Sequence, residues 1–143
     1  MADNKQIEFR LVGIKTDEFA TFENEFSNDK EYVVNTNLAY SFYQNDKVVA
    51  THAKFIFMHI EKPVIVIAVS CFFNMLQWDD YFNNETNTLT MPKNFAQHIG
   101  VITVGTARGI LHTKTEGTIL NSLIIPSINV LELVPNDIII GGK

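Results

Sequence analysis

Histidines are the side chains in this chain best suited to acid–base or metal chemistry, and the chain contains His52, His59, His98 and His112. His98 and His112 stand about four helical turns apart, so both can point to one side of a helix. A zinc site needs further ligands, and the sequence has neither a Cys-x-x-Cys nor a His-Glu-x-x-His motif. The favoured interpretation is therefore histidines on a helix surface, and no metal and no cofactor is expected.

Carboxylates and serines give no stronger indication of catalysis. Asp79 and Asp80 are adjacent, and adjacent side chains point apart, so a solvated loop is favoured over a carboxylate pair. No serine lies in a nucleophile-elbow motif, and no glycine-rich phosphate loop precedes the predicted helix. The serines are Ser27, Ser41, Ser70, Ser122 and Ser127. An enzyme is therefore the less favoured class.

Residues 71–82 have a distinctive composition, with seven large apolar or aromatic side chains in a segment predicted to lead off a sheet. One interpretation is a connection that fills the core. The functional interpretation is a pliable apolar surface, because methionine adapts its shape and aromatic rings offer large contact areas. Such a surface suits unselective capture of apolar chain segments.

The first half of the chain is predicted to form an antiparallel meander of four strands. The strands are residues 7–14, 32–42, 48–60 and 64–73. Strict alternation identifies residues 32–42 as half-buried, and the continuous β-branched run 64–73 suits a strand covered on both faces. Residues 44–47 predict a tight hairpin turn, since Asn and Asp tolerate left-handed backbone. Residues 61–63 predict the next turn, since Pro63 cannot donate to a central ladder.

The second half changes to a helical period. A helix is predicted over residues 92–114, with Thr90 as its cap, Pro92 in its first turn and Gly117 as its stop. Its glycines at 100, 105 and 109 favour close backbone packing against another element. The apolar residues 119–134, interrupted by Pro126, predict an extended segment. The fold class is α+β in one domain over residues 1–143: a four-stranded antiparallel sheet, a crossover segment, one long helix and a C-terminal extended segment.

Composition and charge narrow the class further. The chain has 143 residues, the length of one domain, and 46% of them are apolar. A net charge of −5 disfavours binding to nucleic-acid phosphates. The first six residues lack the apolar run of a signal peptide, and the longest apolar stretch has about half the length that crosses a bilayer. A cytoplasmic protein without membrane insertion is expected, with the single Cys71 as a buried thiol.

Two groups of residues resemble the SecB export-chaperone family. Residues 9–23 (FRLVGIKTDEFATFE) resemble its opening strand, in which alternating apolar residues and a T-x-D segment run into F-E. Residues 106–111 (TARGIL), Glu116-Gly117-Thr118, and Pro126 before Ile128-Asn129 are similar to its helix with an Ala-Arg step, its Gly-Thr end and its Pro-x-Asn segment. The matches follow the family's order and cover nearly the whole chain.

The resemblance implies a homotetramer built as a dimer of dimers, with the long helices between the dimers. It also implies binding of non-native polypeptides without ATP, in grooves lined by the crossover segment and the segment after the helix. The matching positions are Phe72, Phe73, Met75, Leu76, Trp78, Tyr81 and Phe82, facing Leu120, Leu123, Ile124 and Ile125.

Two departures from the family concern its motor partner, SecA. Acidic residues on the sheet of proteobacterial members contribute to docking SecA, and Asp17 and Glu23 match the first-strand pair. Residues 64–69 (VIVIAV), however, carry no acid, and only residues 135–143 stand where the family has a further helix and tail. SecA coupling is therefore in question. The expected function is an ATP-independent holdase for unfolded polypeptides, with export as one setting. The alternative is a SecB-like protein that guards one partner, such as an aggregation-prone antitoxin.

Overall fold

A computed structural model describes residues 7–141. Four long strands come first: β1 (Phe9–Thr21), β2 (Val33–Tyr43), β3 (Val48–His59) and β4 (Lys62–Met75). They are followed by α1 (Trp78–Tyr81), β5 (Phe82–Asn83), β6 (Thr88–Met91), α2 (Lys93–Thr115), α3 (Val130–Leu133) and β7 (Ile138–Gly141). The four long strands form an antiparallel sheet in the order β1-β4-β3-β2, and β5, β6 and β7 form a second sheet. The predicted α+β class and the four-stranded antiparallel sheet are confirmed.

Strand β4 is the centre of the sheet and of the core. It pairs with β1 on one side and β3 on the other, and most of its residues are buried on both faces. Ile67 and Phe73 are fully buried in the same core as Phe95 and Ile99 of α2. The continuous β-branched run predicted this central position, because only a strand covered on both faces is apolar throughout.

Alternation along β2 determines which side of it meets α2. Leu38 and Tyr40 pack against the core, whereas Asn35 and Asn37 are exposed. The Tyr40 hydroxyl donates a hydrogen bond of 2.7 Å to the carbonyl of Ala96 in α2. Burial raises the pKa of Tyr40 to about 12. The alternation predicted for residues 32–42 is confirmed, and it ties the far edge of the sheet to the helix.

Both predicted hairpin turns differ in detail from the structure. Between β2 and β3 the chain forms a 3-10 turn over Gln44–Asp46, and the left-handed residue is Lys47 (φ 57°). Between β3 and β4 the chain reverses at Ile60 and Glu61, whose φ angles are 47° and 63°. The prediction that Pro63 forms the turn is wrong, because Pro63 lies in β4. It pairs there at a register shift, where irregular pairing tolerates its missing N–H.

Strand β1 extends beyond its predicted end at residue 14. Two register shifts against β4, between Leu11 and Gly13 and between Thr16 and Glu18, break its alternation. Each shift moves the following side chains to the opposite face, so a period of two could not be followed past the first one. Within its sheet β1 is an edge strand.

The predicted N-terminal cap of α2 disagrees with the structure, whereas its predicted C-terminal stop agrees with it. The predicted cap is wrong: Thr90 lies in β6, and the backbone N–H of Lys93 donates instead to Asp137 Oδ1 at 2.7 Å. The predicted stop is confirmed, because Gly117 follows the helix with φ 81°, a left-handed conformation that glycine adopts without steric cost. Sequence proximity suggested Thr90, but the anchoring side chain comes from the far end of the chain.

Of the three helix glycines, Gly100 is a close-packing position within the chain. A Cβ there would lie 3.0 Å from the Tyr40 hydroxyl and 3.1 Å from Val130. Cβ atoms on Gly105 and Gly109 would meet no atom within 4 Å beyond their chain neighbours and the local helix backbone, so the close packing predicted for them does not occur within the described chain.

The prediction of a uniformly extended segment after α2 is wrong. The segment forms a 3-10 turn (Ile119–Ser122), an extended stretch, α3 and then β7. Strand β7 pairs antiparallel with β6, with Leu89 opposite Ile140. This second sheet joins the connection that leaves β4 to the last part of the chain.

Candidate polypeptide-binding surface

The first residues of the predicted crossover surface belong to the core. Phe73 and Met75 lie in β4 rather than beyond it, and both are buried. Phe9 packs edge-on against Phe73, with ring centroids 5.6 Å apart. Phe73 and Met75 are therefore not accessible to a bound polypeptide in this arrangement. At these two positions the structure agrees with the core-filling interpretation.

An aromatic cluster fixes the connection between the two sheets. Trp78 in α1 stacks on Phe82, with ring centroids 5.4 Å apart, and both rings meet Phe42 of β2 edge-on. Trp78 and Phe82 are buried. Aromatic pairs of this kind contribute about 0.5–1.5 kcal/mol beyond their area burial, so the cluster holds the connection against β2.

Three predicted crossover residues keep part of their surface accessible. Leu76 is exposed, and Phe72 and Tyr81 are half-buried. Phe72 lies on the face of the sheet away from α2, called the outer face below, where its ring meets Tyr43 edge-on at 6.2 Å. The crossover segment therefore offers less apolar surface than its composition predicted.

The predicted residues after α2 alternate between the core and the solvent. Leu120 and Ile125 are buried, Leu123 is half-buried, and Ile124 is 58% exposed. Six of the eleven predicted binding residues are buried and cannot contact a client in this structure. They are Phe73, Met75, Trp78, Phe82, Leu120 and Ile125. Client binding itself stays a prediction.

Side chains and backbone of α2 fix the segment that carries Ile124. Arg108 donates to the carbonyls of Ile125 and Pro126, both at 2.7 Å. Gln97 donates to the carbonyl of Val134 at 2.8 Å, and the N-terminus of the helix binds Asp137. These hydrogen bonds hold the segment in a conformation in which Ile125 is buried and Ile124 is exposed.

Other exposed aliphatic residues of this region were not among the predicted binding positions. With Ile124 they make up a set of exposed large aliphatic side chains after α2, which we call the C-terminal apolar surface: Ile119, Ile124, Leu131, Leu133 and Ile139. Their apolar character was evident in the sequence. Their exposure depends on the 3-10 turn and α3, which interrupt the expected extended period.

Of the two motor-docking candidates, Asp17 lies within β1 and Glu23 lies just after its end. Asp17 is exposed on the outer face, next to the second register shift, and accepts a hydrogen bond from Ser70 Oγ. Glu23 is exposed in the 3-10 turn Glu23–Glu25. Docking of a motor stays untested by this placement.

A polar network that sequence reasoning missed crosses the outer face. Ser41 Oγ lies 2.8 Å from His52 Nε2, His52 Nδ1 lies 2.6 Å from Ser70 Oγ, and Ser70 bonds to Asp17. One residue comes from each long strand. A depression of about 530 Å³ adjoins it, with His52, Ala39 and Asp17 in its lining. The sequence did contain a signal for this network. In the alternating patterns of β2 and β3, Ser41 and His52 occupy positions on the face that points away from the core.

Over residues 7–141, no helix is both long and apolar enough to cross a lipid bilayer. In the same described part, no three His, Cys, Asp or Glu side chains are grouped to hold a metal ion. Cys71 is buried, as predicted.

Comparison with known proteins gives little further information. No protein-family model and no curated protein matches the chain. Among solved structures, a protein of unknown function from Streptococcus agalactiae is similar over 87% of this chain and 99% of that chain, with 13% sequence identity and a TM-score of 0.33.

Proposed function

We propose that this protein is a SecB-like holdase, a cytoplasmic chaperone that binds unfolded polypeptide without ATP. The observation that carries the proposal is the C-terminal apolar surface. Its five large aliphatic side chains are exposed on a segment that α2 fixes through Arg108, Gln97 and the backbone of Lys93. Residues 119–131 contain no charge, and the exposed Glu132 is the nearest ion, between Leu131 and Leu133.

The energetics favour tolerant rather than selective binding. Covering a large aliphatic side chain contributes about 1.5–3 kcal/mol, and this term has no directional requirement. Ordering the backbone of an extended client costs about 1–2 kcal/mol per residue. Several aliphatic contacts must therefore act together, and no single client sequence is read.

The exposed residues, rather than the buried ones, provide the test. Phe73→Ser or Trp78→Ser would remove core packing and confuse lost binding with lost folding. The better variant is the double replacement Ile124→Ser with Leu131→Ser, since both side chains are exposed. A matched control is Val33→Ser with Ile60→Ser, which removes two comparably exposed aliphatics from the start of β2 and from the turn between β3 and β4.

The measurement is suppression of light scattering when a chemically denatured, aggregation-prone protein is diluted without nucleotide. Wild type and the control should suppress scattering equally. The Ile124/Leu131 variant should need at least tenfold more protein, since even one lost contact of about 1.5 kcal/mol corresponds to a factor of about ten. Equal suppression by both double variants would exclude this surface. A folded wild type that suppresses nothing would exclude general holding.

Two surfaces support the proposed dimer of dimers. Strand β1 is an edge strand that exposes Leu11, Val12 and Ile14, and an unpaired apolar edge is suited to pairing with another chain. On α2, Val101 is exposed, and a Cβ on Gly105 would meet no atom within 4 Å beyond its chain neighbours and the local helix backbone, which leaves room for close approach of another helix.

A dedicated partner-binder is the second candidate function. It is favoured by β4, in which no residue is acidic, so that the central strand offers no carboxylate to a motor. Pull-down from cell extract separates the candidates. One stoichiometric partner would favour the dedicated binder, and a broad range of unfolded proteins would favour the holdase.

A further inference from the structure

The hydrogen-bond network on the outer face has one direction. The Asp17 carboxylate can only accept, so Ser70 donates to it. The Ser70 oxygen is then free to accept from His52 Nδ1–H at 2.6 Å. In the neutral imidazole this leaves Nε2 of His52 as an acceptor, 2.8 Å from the Ser41 hydroxyl.

This direction is the one that activates a serine. A serine nucleophile needs a neutral imidazole nitrogen within hydrogen-bond distance and a third group that orients the ring. We propose that Ser41 is a base-activated nucleophile that takes an acyl group from activated esters, with His52 as its general base. Ser70 and Asp17 are positioning residues. The site is independent of the proposed client surface, because it lies on the outer face of the sheet.

The surroundings leave space for a small acyl donor. Ser41 and His52 are half-buried rather than enclosed. His52 lines the depression of about 530 Å³ on this face, and Ser41 lies beside it rather than in its wall. Ala39, Ile56 and Ala68 line the depression together with the polar Asn35, Asn37 and Lys54. The small and aliphatic side chains among them suit a short acyl chain or an aromatic leaving group.

The reaction balances without a further reagent. Ser41 Oγ attacks the carbonyl carbon of an aryl ester, the Oγ–C bond forms and the bond from carbon to the aryloxide breaks. The Ser41 proton passes to His52 Nε2 and from there to the departing aryloxide. Attack of water on the acyl-serine, with His52 again taking the proton, releases the carboxylic acid and restores Ser41.

The rate should be modest. Ser41 pairs with Ala50 in the β2–β3 ladder, so ladder amides cannot serve as an oxyanion hole. General-base assistance by itself contributes about 10²–10⁴-fold. We therefore expect slow turnover of activated esters rather than efficient hydrolysis of ordinary ones.

The test uses the full chain with p-nitrophenyl acetate and with a fluorophosphonate probe. Phenolate release should drop at least tenfold in both Ser41→Ala and His52→Gln, while Ser127→Ala, an exposed serine elsewhere, should match wild type. Mass spectrometry should place one fluorophosphonate adduct per chain on Ser41. Circular dichroism confirms that the variants are folded. No adduct on Ser41, or labelling unchanged by His52→Gln in a folded sample, would overturn the proposal.

The positioning role of Asp17 is tested by the split between kcat and KM and by rescue with the conservative variant. Asp17→Asn removes the carboxylate that accepts from Ser70, so kcat for p-nitrophenyl acetate should fall while KM changes little. Asp17→Glu keeps a carboxylate and should restore part of the lost kcat. A kcat that Asp17→Asn leaves unchanged, or a loss that Asp17→Glu does not relieve at all, would overturn the place of Asp17 in the relay.

Discussion

Tyr40 shows at the scale of one residue how a buried hydroxyl couples stability to pH. Its hydroxyl donates to the carbonyl of Ala96, and burial raises its pKa to about 12. In the unfolded chain a tyrosine loses its proton near the ordinary value of about 10. The stability contributed by the protonated hydroxyl is therefore present below pH 10 and is lost as the pH rises from 10 to 12.

This sign gives a prediction for Tyr40→Phe. Near neutral pH the variant should be less stable by about 1 kcal/mol, because a buried hydrogen bond is lost. Between pH 10 and 12 the wild type should lose stability more steeply than Tyr40→Phe. Urea denaturation at several pH values measures both effects. Parallel curves above pH 10 would contradict the assignment of the raised pKa to Tyr40.

At the scale of the element, the end of α2 depends on the backbone of one residue. Gly117 has φ 81°, and a Cβ there would meet no atom within 4 Å beyond its own residue and its chain neighbours, so conformation rather than space requires glycine there. Gly117→Ala should destabilise the protein by about 1–2 kcal/mol. Gly117→Asn should cost less, because Asn tolerates left-handed backbone. Chemical denaturation of the three proteins measures the order, and equal stability of the Ala and Asn variants would contradict this explanation.

At the scale of the whole molecule, the proposed assembly predicts a response to changes on the outward side of α2. A Cβ on Gly105 would meet no atom within 4 Å beyond its chain neighbours and the local helix backbone, so Gly105→Leu should leave the subunit folded. If α2 helices meet between dimers, the added side chain should convert a tetramer into a dimer. Light scattering coupled to size-exclusion chromatography measures the mass, with Ile60→Leu, at an exposed position in the turn between β3 and β4, as a control. A monomeric wild type, or a tetramer unaffected by Gly105→Leu, would contradict this arrangement.

The sequence by itself determined the elements whose signals are local. Alternation along β2, the continuous apolar run of β4, the helical period of α2 and Gly117 at its end are each set by a few neighbouring residues. They were sufficient for the α+β class and the four-stranded sheet. The two register shifts in β1 were not predictable, because a bulge depends on pairing with β4.

Only the tertiary structure decided which apolar residues are exposed and which polar residues meet. Phe73 and Ile124 look equally suited to binding in the sequence, yet one is in the core and the other is exposed. Ser70 and Asp17 are 53 positions apart and are joined by strand pairing alone. Burial and hydrogen bonding are properties of surfaces brought together by the whole fold, so a local pattern cannot specify them.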